Sequence, residues 1–99
     1  MRLLSALLVI GALVGCGPVQ STASLIDAEV AVEAARTAGA RENAAYEYAL
    51  AEAYLTKAKE TVNRARYESA TEFAHKAKEL ANEARAKAVS ASNSSGATP

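Results

Sequence analysis

The sequence predicts an all-α fold, and three observations support this prediction. Glycine and proline, which interrupt helices, contribute only 5 and 2 of the 99 residues, while alanine, glutamate, lysine and arginine are abundant. Neither glycine nor proline occurs between Asn43 and Ser95. Apolar residues, most of them small, recur at helical spacing through most of the chain. We therefore expect a short leader, a flexible tether, and one small domain that is a helical hairpin or a three-helix arrangement.

The first sixteen residues are an apolar leader that ends at the only cysteine, Cys16. Arg2 gives the leader a positive start, and the apolar run that follows occupies residues 3–14. A membrane-spanning helix needs about 20 apolar residues, so the run is too short to span and is typical of an export signal. An ordinary secretory signal has small residues one and three positions before the cut. Leu13 is too large for that pattern.

Residues 13–16 instead resemble the lipobox of bacterial lipoproteins. The resemblance implies that residues 1–15 are a signal peptide, that the Cys16 thiol carries a diacylglyceryl group, and that a fatty acid such as palmitate acylates the new amino terminus. Two or more chains make membrane attachment durable. Gly17 stands where inner-membrane lipoproteins carry an aspartate, which favours the outer membrane and its periplasmic face over the inner membrane. The lipobox residues are Leu13, Val14, Gly15 and Cys16.

The chain after the leader is expected to begin with a short tether. Residues 16–23, the lipidated N-terminus and its tether, are mostly small and polar, which suits a flexible spacer. Ser24, with an acidic residue at Asp27, is typical of a helix start. Gly39 is a natural C-terminal stop, so the first helix is predicted at residues 24–38. Its apolar stripe comprises Leu25, Ala28, Val32 and Ala35.

Two further apolar stripes predict helices at about residues 43–64 and 68–89. If the first stripe continued along the same helix with a seven-residue repeat, apolar side chains would be needed at positions 69, 72 and 76. These positions hold Ser69, Glu72 and Lys76. The second stripe is displaced by one residue, or about 100° around a helix. A turn between them lets the stripes face each other, so we favour a hairpin; one long helix is the alternative. The stripes are Ala51, Tyr54, Leu55, Ala58, Val62 and Ala65, then Ala70, Phe73, Ala74, Ala77, Leu80, Ala81, Ala84 and Ala88.

The predicted helical domain thus covers residues 24–89, and a serine-rich tail at 90–99 is expected to be disordered. The 11 basic and 11 acidic side chains balance, which gives no electrostatic reason to bind nucleic acid. His75 is the only histidine; it is expected to be solvated and has no second soft ligand beside it. The carboxylates are spread along helices. We therefore expect no enzymatic activity, metal, cofactor or small-molecule substrate.

Four tyrosines are a high number for so short a chain. Tyr54 belongs to a core stripe, whereas Tyr46 and Tyr48 point to different sides of their helix. One interpretation is that their rings supply core area that alanine cannot. The other is that Tyr46 and Tyr48 form a possible contact for a partner, because tyrosine is enriched at binding hot spots. Large apolar residues are few, so we also expect self-association or marginal stability of the isolated domain.

A family resemblance lies in the middle of the chain. Residues 38–40, Ala-Gly-Ala, and residues 45–55, Ala-Tyr-Glu-Tyr-Ala-Leu-Ala-Glu-Ala-Tyr-Leu, resemble small bacterial outer-membrane lipoproteins that carry the domain of unknown function 4398. Residues 57–60 and 65–70 continue the resemblance, which covers most of 24–88. Tyr67, Ala70, Phe73 and Ala77 also look like the second helix of a tetratricopeptide unit, with Ala65 and Arg66 where such a unit has its turn glycine.

The resemblance implies a location and a helical shape but no activity. We therefore expect a lipid-anchored cell-envelope protein whose helical domain faces the periplasm as a non-enzymatic interaction or scaffolding module. Its partners would be the membrane, through the N-terminal lipid, and envelope proteins or a second copy of itself. The alternative is a structural tether or a non-covalent cell-wall binder. Known covalent tethers end in lysine, whereas this chain ends at Pro99.

Overall fold

The computed structural model describes the backbone of residues 2–96 and the side chains of residues 18–94. The described backbone contains helices and turns, without a strand, which confirms the all-α prediction. The helices are α1 (Arg2–Thr37), α2 (Ala40–Asn43), α3 (Ala45–Asn63) and α4 (Tyr67–Gly96).

Helix α4 is the common partner of the other two long helices. It lies against α1 and α3 to a similar extent, whereas α1 and α3 contact each other over a shorter stretch. The α3–α4 pair forms the predicted antiparallel hairpin, so the alternative of one long helix is wrong. Helix α1 runs parallel to α4, since Ser24 lies beside His75 and Asp27 beside Lys78. The described residues therefore form a three-helix bundle.

Alanine fills most of the interior of this bundle. Among the residues whose side chains are described, 16 apolar residues are buried, and 13 of them are alanine. Side chains this small let helix axes approach closely. The predicted stripes of α1 and α4 account for most of the interior, although Leu25 and Phe73 are only half-buried. The three buried apolar residues larger than alanine are Val32, Tyr48 and Leu80.

The interior divides into two clusters along the bundle axis. The Gly39-end cluster contains all three larger residues and eight alanines. The Ala65-end cluster has four buried alanines, Ala28, Ala58, Ala74 and Ala77. Its larger side chains, among them Tyr54 and Phe73, are only partly buried. The Tyr54 and Phe73 rings lie 6.2 Å apart between centroids, and the Lys57 ammonium lies 5.4 Å from the Phe73 centroid.

Gly39 ends the first helix, as its sequence position predicts. Its φ of 86° lies in the left-handed region, which glycine enters without the steric cost that a Cβ imposes. The Gly39 N–H donates to the Arg36 carbonyl at 3.0 Å. The Asn43 side-chain amide donates to the Gly39 carbonyl at 3.2 Å. This turn leads into α2, and both Ala40 at the start of α2 and Ala44 directly after it lie in the core.

The α3–α4 turn uses alanine where a helix ending of this type ordinarily uses glycine. Ala65 has a φ of 58°, a conformation that costs a non-glycine residue about 1–2 kcal/mol. The N–H of Ala65 donates to the Val62 carbonyl, and the N–H of Arg66 donates to the Thr61 carbonyl, both at 2.9 Å. This pair of bonds is the Schellman arrangement that satisfies the last carbonyls of a helix. The bonds and the hairpin packing hold Ala65 in its strained conformation.

Two predicted segment boundaries are wrong. The tether predicted at residues 16–23 is helical, because α1 runs continuously from Arg2 to Thr37. Ser21 is 1% exposed and its hydroxyl donates to the Pro18 carbonyl at 3.2 Å, so packing extends the helix upstream of Ser24. The predicted disordered tail is helical as far as Gly96, since no residue between Tyr67 and Ser95 interrupts a helix once it has formed. Residues 97–99 lie outside the described range.

Candidate anchor and contact surfaces

The lipobox residues lie on the helical backbone of α1, upstream of the described side chains. Leu13, Val14, Gly15 and Cys16 are therefore placed by their backbone alone, and the lipidation of Cys16 stays a prediction. The first described side chains of α1 lie beside the start of α4. Gln20 borders a shallow surface groove together with Tyr67, Glu68, Thr71 and Glu72.

Tyr46 and Tyr48 occupy opposite environments, although only one residue separates them. Tyr46 is 73% exposed, whereas Tyr48 is 4% exposed and belongs to the Gly39-end cluster. The Arg41 guanidinium lies 5.8 Å from the centre of the Tyr48 ring. Burial raises the pKa of the Tyr48 hydroxyl, and a hydrogen bond with Glu52 raises it further. The possible partner contact at Tyr48 is not available in the folded domain, because its ring is buried in the Gly39-end cluster; Tyr46 remains accessible.

Helix α1 carries an exposed apolar stripe that the sequence interpretation missed. Val19, Ile26 and Val30 are 68%, 54% and 64% exposed, and their spacings of seven and four place them on one face. With Thr22 and Ala23, they form a surface that we call the α1 outer stripe. The signal was present in the sequence as a second helical period. The predicted tether at residues 16–23 leaves a helix of residues 24–38 only, in which Ile26 and Val30 alone do not reveal the stripe.

Ion pairs flank the α1 outer stripe on both sides. Asp27 lies 3.9 Å from the Lys78 ammonium of α4, and Glu29 lies 3.0 Å from the Lys59 ammonium of α3. All four side chains are about half-exposed or more, so each pair contributes little to stability. The pairs nevertheless fix the rotation of α1, because they join its two edges to different neighbours.

A further ion pair ties the start of α3 to α4. Lys87 donates a hydrogen bond to the Glu47 carboxylate. This bond lowers the pKa of Glu47 and raises the pKa of Lys87. Glu47 stands between Tyr46 and Tyr48, so its bond to α4 helps to set which of the two rings faces the core.

The described side chains show no constellation typical of catalysis or metal binding. His75 is exposed, as predicted, and its Nε2 lies 3.4 Å from the Ser24 Oγ. No three histidine, cysteine, aspartate or glutamate side chains cluster in a metal-binding arrangement within residues 18–94. Over the same range, no buried polar side-chain atom lacks a hydrogen-bond partner. The expectation of a non-enzymatic protein stays a prediction.

A comparison with protein-family models identifies the family of this domain. The family model described as Domain of unknown function (DUF4398) matches residues 23–97, which is most of the chain. The chain belongs to this family. The match confirms the resemblance found in the sequence, and it makes the DUF4398 domain coincide with the bundle from Ala23 onward. Neither the search of curated proteins nor that of solved structures returned a significant match.

Within the part of this DUF4398 protein that the structure describes, no helix combines sufficient length with sufficient hydropathy to cross a bilayer.

Proposed function

We propose that this DUF4398 protein is a lipid-anchored, non-enzymatic protein of the cell envelope. The observation that carries the proposal is the position of its only cysteine at the end of Leu13–Val14–Gly15–Cys16. The preceding apolar run matches an export signal, and the thiol would receive the lipid. An outer-membrane, periplasm-facing location follows from Gly17 by resemblance to Gram-negative lipoproteins.

The helical domain would act as an interaction or scaffolding module. The interior supports this role, because alanine side chains leave little room for a deep cavity in which a reaction could be shielded from water. The α1 outer stripe supplies accessible apolar area on one face of the bundle, and Tyr46 supplies a mostly exposed ring at one end. Surfaces of this kind mark contact sites more often when several apolar residues share a face.

The anchor is tested by mass spectrometry of the protein isolated from the membranes of a Gram-negative host. The expected result is a mature N-terminus at Cys16 carrying a diacylglyceryl group and a third acyl chain. The matched control is Cys16→Ser, which replaces the thiol with a hydroxyl group and should remain unprocessed. An unmodified thiol, or an intact leader on the wild-type protein, would refute the anchor.

The interaction role is tested separately with a photo-cross-linking residue placed on the lipidated protein in living cells. Position 30 samples the α1 outer stripe and position 46 samples the exposed tyrosine, while position 79 on α4 is an exposed control away from both. Reproducible protein adducts at 30 or 46, but not at 79, are expected. Absence of adducts at both test positions would contradict a protein–protein role. Co-sedimentation with purified peptidoglycan sacculi would then distinguish a wall-binding protein.

A further inference from the structure

The α3–α4 turn displays two cations that have no partner within the described residues. Arg64 caps α3 and Arg66 immediately precedes α4. Both side chains are exposed, and neither guanidinium takes part in an ion pair or side-chain hydrogen bond within residues 18–94. Glu60 lies four residues before Arg64, the usual spacing for a helical ion pair, yet the two side chains are not paired. The two positive charges are therefore available to an external anion.

The turn that carries these arginines is well ordered by its backbone bonds. The donors on Ala65 and Arg66 bond back to the carbonyls of Val62 and Thr61. Both guanidinium groups consequently project from a fixed tip of the hairpin. A fixed tip presents charge to a surface with less ordering cost than a disordered loop would require.

The register of α1 places the proposed lipid attachment point at this same tip. Ser24 lies beside His75 and Asp27 beside Lys78, so neighbouring positions of the parallel helices differ by 51. The same offset carried back along the α1 backbone sets residue 16 level with Tyr67, the first residue of α4. The opposite end of the bundle, where Gly39 and Tyr46 lie, is about 30 Å away, because α3 has 19 residues at 1.5 Å each.

We infer that the α3–α4 turn is the membrane-facing tip of the domain, with Arg64 and Arg66 against the headgroups of anionic phospholipids. This inference rests on the proposed lipidation of Cys16. The acyl chains on residue 16 enter the bilayer from a point beside Tyr67. Insertion of these chains therefore brings the α3–α4 turn to the bilayer surface, and no other contact is needed. The two arginines then meet lipid phosphates, which guanidinium groups bind well. Each basic residue near an anionic surface changes the partition about fivefold.

The domain could instead lie flat on the membrane, with the α1 outer stripe against the lipid. The charges around the stripe do not favour this second orientation. Asp27, Glu29 and Glu33 are the acidic residues of α1 and lie along or beside that stripe. Arg36 is the one basic residue of α1 among the described side chains, and it is paired with Glu33 at 2.5 Å. The three carboxylates are matched by Arg36, Lys59 and Lys78, so the stripe offers an anionic surface no net attraction, whereas the tip offers it two guanidinium groups without a partner among the described side chains.

The experiment measures the depth of three fluorescent labels on the lipidated protein. Because lipidation consumes the native thiol, the single substitutions Asn63→Cys, Val30→Cys and Tyr46→Cys each create one labelling site. The sites sample the tip, the middle of the α1 outer stripe and the far end. The proteins are reconstituted into vesicles that contain quencher-bearing headgroups, with either phosphatidylcholine alone or a mixture with phosphatidylglycerol.

Strong quenching of the label at 63, with weak quenching at 30 and 46, is expected and would support the inference. Comparable quenching at 63 and 30 would show a flat orientation and overturn it, and weak quenching at all three positions would do the same. Mass spectrometry of each sample reports whether residue 16 is lipidated. A lipidated protein with the wrong quenching pattern contradicts the orientation, whereas an unlipidated protein contradicts the proposed function.

The role of charge is tested with Arg64→Gln/Arg66→Gln and the matched control Arg41→Gln/Arg85→Gln. Both variants lose two positive charges, but the control loses them away from the tip. Phosphatidylglycerol should increase the quenching at 63 in the wild type and the control. For the test variant, the equilibrium between the tip bound to headgroups and the tip away from them should shift about 25-fold toward the unbound tip, because each lost arginine contributes about fivefold. Equal behaviour of the two variants would overturn the headgroup contact.

Discussion

At the end of the bundle that holds Gly39, the turn residue suits its backbone, and the core contains Val32, Tyr48 and Leu80 beside the alanines. At the end that holds Ala65, an alanine occupies the left-handed region, and four buried alanines are surrounded by side chains that remain partly exposed. The first end is packed and unstrained. The second stores strain, and its two arginines have no partner among the described side chains, which suits an end that meets something outside the chain.

The largest expected contrast comes from truncating the aromatic rings of the two ends. Tyr48→Ala should lower the free energy of unfolding by about 3–5 kcal/mol, because it empties a nearly closed site. Phe73→Ala should cost about 1–2 kcal/mol, since its ring is only half-buried. Urea denaturation followed by circular dichroism measures both values. Tyr46→Ala is the control and should change stability by less than about 0.5 kcal/mol. Equal losses for Tyr48 and Phe73 would remove the contrast.

Overpacking is the next test of the same contrast. Ala84→Leu, at the Gly39 end, should cost about 1–3 kcal/mol because its neighbours cannot move aside. Ala58→Leu should cost less, since the partly exposed Tyr54 and Phe73 can shift outward to make room. Thermal unfolding reports the order of the two variants. Ala53→Leu, on the exposed side of α3, is the control and should leave the melting temperature nearly unchanged.

The two turns respond in opposite directions to exchanging glycine and alanine. Gly39→Ala should destabilise by about 1 kcal/mol, and its new Cβ would lie 3.3 Å from the Asn43 side-chain nitrogen. Ala65→Gly should stabilise by about 0.5–1 kcal/mol, because the relief of strain exceeds the added entropy of the unfolded chain. Chemical denaturation of both variants and of the double variant measures the effects. A destabilising Ala65→Gly would show that the turn is unstrained.

The smallest expected effect concerns pH at the Gly39 end. The bond from Lys87 lowers the pKa of Glu47 in the folded protein, relative to an ordinary value of 4.5. The pair therefore contributes stability above pH 4.5, and this contribution is lost as pH falls through the lower pKa of the folded state. Lys87→Gln should flatten the acid limb of the melting temperature against pH, whereas Lys76→Gln should not. Identical acid limbs would show that the bond is unimportant in solution.

The sequence predicted the helices and their faces because each stripe keeps one helical period over several turns. The one-residue displacement between the α3 and α4 stripes predicted the hairpin, and Gly39 predicted the first turn. Ala65 gave no turn signal of its own, since alanine favours helix; the turn exists because the displaced stripes can be buried together only if the chain reverses. Tertiary packing here overrides local preference.

The errors have the same origin. Pro18 and Gly17 suggested a tether, but burial of Ser21 against the bundle is a tertiary contact that local composition does not reveal. The sequence leaves Tyr48 open between core and surface, because its burial depends on the turn at Gly39 and on the position of α2, whose Arg41 lies over the ring. A four-residue helix makes only about one turn, so its sequence contains no periodic pattern that predicts which side of the helix faces the core. The outer stripe of α1 needed the full helix length before its period became visible.

An interior made chiefly of methyl groups differs from an ordinary core in the kind of mutation that destabilises it. Ordinary cores are weakened most readily by losing atoms, but at 13 of the 16 buried apolar positions among the described side chains there is almost nothing left to remove. Harmful changes at those sites must add bulk or polarity. Related proteins are therefore expected to vary freely on their outer faces while their inner positions stay small, so that the spacing between helices is inherited more faithfully than any surface.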